Sequence, residues 1–150
     1  MNILGPIDYE QHREFLLPII SKVDFFAQLS PEQLDKMLYF IKFVEFEREE
    51  VVFQKDVEGD SFFFIYKGVV EARVPGLFGS KVINTMGPGE FFGELALILK
   101  QPRAAAIVCV ERTRCFMLDK TDFSLLLERN PDIDRIIKEV ARTRFGNYGR

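Results

Sequence analysis

The stretch that decides the fold runs from Phe91 to Ala106 and reads FFGELALILKQPRAAA. Gly93 lets the backbone take a positive φ or approach a ligand closely. A helix that begins at Glu94 would present unpaired N–H groups to an anion, and Arg103 would match phosphate oxygens with a bidentate guanidinium. The stretch therefore predicts an anion site, and a short helix of good helix formers from Glu94 to Leu99.

Two other interpretations compete with an anion site. In the first, the apolar residues are ordinary core, and Glu94 and Arg103 form a surface ion pair that adds little stability. Spacing alone does not separate this interpretation from the functional one. In the second, the upstream GPGEFFG, Gly87 to Gly93, is a dinucleotide-binding loop. We discard that interpretation because three residues follow the second glycine, and no long strand–turn–helix pattern flanks the loop.

Length and composition set the class of protein. A chain of 150 residues fits one domain, 1–150, and sixteen phenylalanines with no tryptophan predict a phenylalanine-rich core. The net charge of −3 argues against nucleic-acid binding, which favours a basic face. The N-terminus lacks a secretion signal, and the apolar runs are shorter than the ~20 residues that span a bilayer. We therefore expect a soluble, cytoplasmic chain that binds no nucleic acid and is not inserted in a membrane.

The residues that carry most enzyme and metal chemistry are sparse. Cys109 and Cys115 lie six apart without a CxxC pattern or a flanking histidine, so we expect core thiols, on the same face if the region is one strand, and no metal site. His12, the only histidine, is expected to be a solvated helix residue. Without a histidine near Ser61, Ser80 or the cysteines, an activated nucleophile is hard to assemble, and we expect no enzyme.

The hydrophobic pattern predicts a mainly β chain of the α+β class with flanking helices. N-terminal helices would occupy about 8–38, an antiparallel β-roll or jelly-roll-like double sheet about 40–119, and C-terminal helices about 121–145. Turn residues separate the strands at close intervals, which favours an antiparallel roll over a parallel sheet. The expected strands are 41–46, 51–54, 62–67, 69–74, 81–85, 104–110 and 113–119.

Helix boundaries follow from local signals at both ends of the chain. A first helix is expected from Asp8 to about Phe26, kinked or divided at Pro18, and a capping box between Ser30 and Gln33 predicts a second. Thr121 is expected to cap a third helix, which ends at the Asn130-Pro131 dipeptide where the last helix starts. The last helix carries an apolar stripe that predicts docking on the roll, and Gly146 would end it. The stripe consists of Ile133, Ile136, Ile137 and Val140.

Two blocks of the chain resemble a known family. FGELAL, Phe92 to Leu97, followed by PRAA, Pro102 to Ala105, resembles the phosphate-binding cassette of cyclic-nucleotide-binding domains. These domains occur in regulatory subunits of cyclic-AMP-dependent protein kinase, in cyclic-nucleotide-gated channels and in bacterial catabolite activator proteins. Upstream, EGDSFFFIYKGVVEARV, Glu58 to Val74, resembles the family's Gly-Asp, aromatic and glycine-turn hairpin. The resemblance covers roughly residues 20–145 with both blocks in the correct order.

The resemblance implies a site and a ligand. The cyclic phosphate would lie on the N–H groups of the short inserted helix and against Arg103, while Glu94 accepts the ribose 2′-OH. Family members with a threonine after the arginine often favour guanine, and Ala104 stands there, so we expect cyclic AMP, with cyclic GMP as the alternative. The last helix would close as a lid, with the base-capping residue between Ile136 and Arg144. The expected ligand-binding residues are Gly93, Glu94, Leu95, Ala96, Arg103, Ala104 and Ala105.

The resemblance also implies a regulatory module that transmits nucleotide occupancy through its terminal helices to an effector domain or subunit. An ion channel or a protein kinase would be that effector, and attachment to a membrane channel fits the expected cytosolic location. One alternative is a degenerate interaction domain with an empty pocket, although such members usually lack the glutamate or the arginine. Others are a kinase regulatory-subunit-type domain and a catabolite-activator-type transcription factor, which would need a helix-turn-helix after the last helix.

Overall fold

The computed structural model describes residues 1–146, which form two antiparallel β-sheets flanked by helices. The nine strands of this part are β1 Asn2–Pro6, β2 Lys42–Phe46, β3 Val51–Phe53, β4 Ser61–Lys67, β5 Val70–Gly76, β6 Gly79–Met86, β7 Phe91–Phe92, β8 Ala106–Cys109 and β9 Thr113–Asp119. The helices are α1 Tyr9–Ile20, α2 Pro31–Met37, α3 Lys120–Arg129 and α4 Pro131–Phe145, with short 3₁₀ turns at Leu38–Phe40 and Glu94–Leu97.

The strand order confirms the antiparallel double sheet. One sheet has the order β1-β2-β9-β4-β7 and the other β3-β8-β5-β6, and every pairing between neighbours is antiparallel. β1 and β7 were not predicted. β1 is an edge strand that ends in a proline and is mostly exposed, while β7 has two residues, so neither shows the alternation that marks a longer strand.

The aromatic run on β4 explains how the two layers of core form. Successive side chains of a strand point to opposite faces. Phe62 and Phe64 pack with the helices in one buried cluster, and Phe63 and Ile65 pack between the two sheets in another. The strand is therefore buried on both faces, and the phenylalanine-rich core is confirmed. Helices cover the outer face of the five-stranded sheet, which leaves one end of the roll to the cassette.

The prediction for His12 is wrong. Its imidazole is buried against the rings of Phe43, Tyr66 and Phe116, and its Nδ1 accepts a hydrogen bond of 3.1 Å from the backbone N–H of Asp8. Burial in this aromatic pocket lowers the pKa of His12, because desolvation disfavours the charged imidazolium. His12 is thus part of the contact between α1 and the five-stranded sheet.

Most of the predicted helix boundaries agree with the structure and two do not. The capping box at Ser30 is confirmed, and α4 follows Asn130 directly and ends at Gly146 as predicted. α1 ends at Ile20, two residues after its proline, rather than near Phe26. The N-cap of α3 is Asp119 and not Thr121, because the Asp119 carboxylate accepts the backbone N–H of Asp122 at 2.7 Å.

The two cysteines lie on different strands, Cys109 on β8 and Cys115 on β9, and hence in different sheets. Both are buried free thiols in the cluster between the sheets, as core thiols should be. Burial raises the pKa of each thiol. The two cysteines therefore do not share one strand face. Each lies on the inner face of a different sheet, and the two faces meet in the core. Among residues 1–146 no helix is long and apolar enough to cross a lipid bilayer.

Candidate functional site

A cavity of about 350 Å³ lies between the four-stranded sheet and the cassette. Its volume is in the usual range for small-molecule sites. All seven residues predicted to bind ligand line it, so the fold brings these seven residues together. The lining consists of Phe53, Ala72, Asn84, Met86, Phe91, Phe92, Gly93, Glu94, Leu95, Ala96, Gln101, Pro102, Arg103, Ala104, Ala105 and Ile107.

Gly93 makes the turn that aims the cassette at the cavity. Its φ of 85° lies in the left-handed region, where side chains other than hydrogen are strained. A Cβ at this position would come within 2.8 Å of Arg103 Nη1 and 2.9 Å of the Ser61 carbonyl oxygen. The turn after it is a 3₁₀ helix over Glu94–Leu97. The predicted helix is therefore present but shorter, and it ends two residues before Leu99.

The cassette turn offers free hydrogen-bond donors. Within the part of the chain that the structure describes, the N–H groups of Glu94 and Leu95 have no acceptor, whereas the N–H of Ala96 donates back to the Gly93 carbonyl at 3.2 Å. Unpaired donors are expected in the first turn of a helix. They border the cavity together with Arg103 and can hydrogen-bond an anion there.

The side chain of Arg103 is 8% exposed and is held by neutral groups. Its Nη2 donates to the Ser61 carbonyl oxygen at 2.7 Å, and its Nη1 makes a longer contact of 3.5 Å with the Gly93 carbonyl oxygen. The guanidinium carbon lies 3.9 Å from the centre of the Phe53 ring, a cation–π contact. These contacts fix the plane of the guanidinium beside the cavity.

The charge of Arg103 lacks a direct counter-ion. Within residues 1–146 its guanidinium forms no ion pair, so the interpretation of Glu94 and Arg103 as a surface pair is wrong. Burial lowers the pKa of Arg103, and the charges of Asp60 and Glu94 oppose this shift from a distance. A buried cation without a paired anion is costly. An anion in the cavity would compensate that cost.

The loop before β4 holds the arginine in place. The backbone N–H of Arg103 donates to the Val57 carbonyl at 2.7 Å, and that of Gly59 donates to the Gln101 carbonyl at 3.1 Å. A Cβ on Gly59 would lie 2.7 Å from Ala96 Cβ and 3.0 Å from the guanidinium. The second block of the sequence therefore packs directly against the first.

Two polar residues that line the cavity were not identified from the sequence. Asn84 on β6 and Gln101 in the cassette loop both line the cavity, beside the aromatic ring of Phe53. Alternation along β6 was an available signal for Asn84, because it lies two residues before the buried Met86 and thus on the same face. Nothing in the sequence pattern indicated Gln101.

The end of α4 lies beside the cassette rather than over the main cavity. Among residues 1–146 no α4 side chain lines that cavity. The residues from Ile136 to Arg144, the range proposed for the base cap, therefore do not line it. Arg144 pairs with Asp24 at 2.9 Å, and the rings of Phe145 and Phe25 are 5.9 Å apart. These groups border a second cavity of about 330 Å³, which shares Phe91, Glu94 and Leu95 with the first.

Sequence comparison finds a family match and curated relatives for the chain. A family model described as a cyclic nucleotide-binding domain matches residues 43–130. A putative potassium channel protein of Rhodopseudomonas palustris is 31% identical over 137 residues, which are 89% of this chain and 33% of the relative. A cAMP-dependent protein kinase regulatory subunit of Dictyostelium discoideum is 29% identical over 87% of this chain and 40% of its own length. The chain thus spans well under half of these curated relatives.

Comparison with solved structures gives the same fold. A cyclic nucleotide-binding domain from Methylobacillus flagellatus has a TM-score of 0.74 at 22% identity and covers 95% of this chain and 82% of its own. The regulatory domain of Toxoplasma gondii PKA, crystallised with cAMP, has a TM-score of 0.70 at 23% identity and covers 78% of this chain and 45% of its own. With the family model matched over more than half of its length, the chain belongs to the cyclic nucleotide-binding domain family.

Proposed function

We propose that residues 1–150 form one regulatory domain that binds cyclic AMP in the cavity beside Arg103 and passes its occupancy to an effector. The domain acts by binding and not by catalysis. The observation that carries this proposal is the buried guanidinium of Arg103, which faces a cavity of suitable size and forms no ion pair among residues 1–146. A cyclic phosphate supplies one negative charge and exposed oxygens, and bidentate pairing with arginine suits that geometry.

The rest of the nucleotide has partners in the same cavity. The phosphate accepts the free N–H groups of Glu94 and Leu95, and backbone contacts from Ala104 and Ala105 complete the cradle. The half-buried carboxylate of Glu94 accepts the ribose 2′-OH. A charge-assisted hydrogen bond contributes about 1.5–3 kcal/mol, so Arg103 and Glu94 dominate the polar part of the affinity.

The choice of cyclic AMP over cyclic GMP rests on two positions. Ala104 has no hydroxyl with which to hold a guanine base. The amide of Asn84 can donate to N7 and accept from the N6 amino group of adenine, the bidentate pattern by which asparagine recognises that base. Both positions line the cavity, on the cassette and on the sheet.

Signal transmission follows from the groups that the two cavities share. Glu94 and Leu95 border both, so a shift of the cassette around bound phosphate changes the surface on which the end of α4 rests. For occupancy to act as a signal, the nucleotide must bind one arrangement of α4 better than another, typically by about 1–3 kcal/mol. The effector is a channel domain or a kinase, and the domain works in the cytoplasm. Relatives of both kinds support this assignment.

Calorimetric titration of the chain with cyclic AMP and with cyclic GMP, after removal of any co-purified nucleotide, tests the proposal. We expect saturable binding of both, with the tighter constant for cyclic AMP. Tighter binding of cyclic GMP would overturn the base assignment alone. The absence of saturable binding by a folded chain would favour the degenerate interaction domain instead.

A further inference from the structure

The hairpin formed by β5 and β6 ends in two apolar side chains that the fold does not use. Gly76 pairs with Gly79, so Leu77 and Phe78 are the two residues of the turn. Leu77 is 90% exposed and Phe78 is 95% exposed. Two-residue turns favour glycine, asparagine and aspartate, and an apolar side chain stabilises a fold only when it leaves water. The stability of the fold therefore does not explain the presence of these two apolar side chains at the turn.

The charge of this hairpin is opposite to that of the chain as a whole. From Val70 to Met86 its charged side chains are Glu71, Arg73 and Lys81, a net charge of +1, whereas the chain carries a net charge of −3. Arg73 pairs with Glu71 at 2.7 Å. Lys81, four residues beyond Leu77, is exposed and makes no ion pair among the described residues. The tip thus combines exposed apolar side chains with an uncompensated cation.

Pairing with a second copy through the strand edge fits the hairpin less well. β6 is the edge of the four-stranded sheet, but its register shifts opposite Ala72 and Arg73, which marks a β-bulge. A bulge and an exposed lysine are two of the devices that keep edge strands from pairing with other chains. A protruding tip also needs a complementary hollow in a rigid partner, whereas a fluid interface takes it without one.

We propose that the β5–β6 hairpin binds an anionic lipid surface, with Leu77 and Phe78 entering the interface and Lys81 beside the headgroups. Apolar side chains next to basic ones are the combination by which peripheral segments bind such surfaces. The nucleotide cavity stays open in this orientation. Asn84, which lines it, lies six residues from Phe78, or about 20 Å at the rise of an antiparallel strand.

The lack of tryptophan in the chain allows a direct reporter. Phe78→Trp places a single indole at the tip, and Tyr39→Trp places one at another exposed aromatic position. We expect vesicles of phosphatidylcholine and phosphatidylserine to shift the emission of Phe78→Trp to the blue and brominated lipid to quench it. The Tyr39→Trp emission should not change. Unchanged emission of both variants would overturn the proposal.

Cosedimentation with the same vesicles measures the affinity of the full chain and of its variants without an added tryptophan. The double variant Leu77→Ser/Phe78→Ser should bind at least about tenfold more weakly, the effect of withdrawing about two methylene groups from the interface. Lys81→Gln should cost about fivefold, and raising the salt to 1 M should weaken wild-type binding, since the screening length falls to about 3 Å. Tyr39→Ser serves as the control and should bind like wild type.

Folding of each variant is checked by thermal unfolding, which should not change because both tip side chains are exposed. Equal vesicle binding by wild type and the double variant would overturn the proposal. So would concentration-dependent self-association that the double variant abolishes while vesicles bind neither protein, because the tip would then be an interface between copies. None of these readouts depends on nucleotide binding.

Discussion

Replacement of Arg103 by alanine is the sharpest perturbation of the site. The guanidinium is buried, points at the cavity and has carbonyl oxygens and one ring as its protein partners. The loss of one charge-assisted hydrogen bond to phosphate costs about 1.5–3 kcal/mol. Since about 1.4 kcal/mol is a factor of ten in affinity, Arg103→Ala should weaken binding of cyclic AMP at least about tenfold. If both Nη groups contact phosphate, the affinity should fall by a factor of about a hundred or more.

The assay is isothermal titration of three variants with cyclic AMP. Arg103→Lys keeps the charge but loses the fork, so its affinity should fall between those of wild type and Arg103→Ala. Arg48→Ala removes an exposed arginine whose nearest carboxylate is Glu49 at 3.8 Å, and it should bind like wild type. Circular dichroism and thermal unfolding verify that each variant is folded. A folded Arg103→Ala protein with unchanged affinity would refute the assignment of the phosphate site.

Three further predictions concern the turn, the buried imidazole and the base. Gly93→Ala should lower the melting temperature more than Gly89→Ala, because both glycines have a φ near 85–87° but only the first has heavy atoms within 3 Å of the added Cβ. Equal losses, measured by thermal unfolding, would contradict the close approach. Burial lowers the pKa of His12 below its value in the unfolded chain, so the unfolded state binds more protons, and stability should fall as pH drops below about 6.5. His12→Asn should make the stability measured by urea denaturation depend less on pH between pH 7 and 5 than that of wild type. An unchanged pH dependence would argue against a lowered pKa of His12 as its cause. Asn84→Ala should weaken cyclic AMP binding by about two- to tenfold, the worth of a neutral hydrogen bond, whereas Thr85→Ala, on the other face of β6, should not; equal titration curves would remove Asn84 from the site.

Local signals in the sequence were sufficient where a few neighbouring residues decide the structure. The capping box at Ser30 depends on contacts within three positions, and it is present. The positive φ of Gly93 was expected from the residue type itself, and it is present as well. The strand at 62–67 and the phenylalanine-rich core were also predicted, and both are present. The motif around Arg103 was sufficient to select seven of the residues that line the cavity.

Other features depend on contacts that no local pattern records. His12 is buried because α1 packs on the rings of Phe43 and Phe116, more than thirty and a hundred positions away. Gln101 borders the cavity through the loop pairing with Gly59. The surroundings of His12 and Gln101 are thus set by tertiary contacts, which local sequence patterns do not show.

The central claim is that the buried guanidinium of Arg103 holds a cyclic phosphate. A crystal structure of the chain with cyclic AMP measures this directly, as the distances from the phosphate oxygens to the Nη atoms. We predict at least one oxygen at about 2.7–2.9 Å from Arg103 Nη1 or Nη2, with the N–H groups of Glu94 and Leu95 also pointing at the phosphate. A bound nucleotide whose phosphate lies away from Arg103, with the guanidinium still bonded to the Ser61 carbonyl alone, would contradict the account.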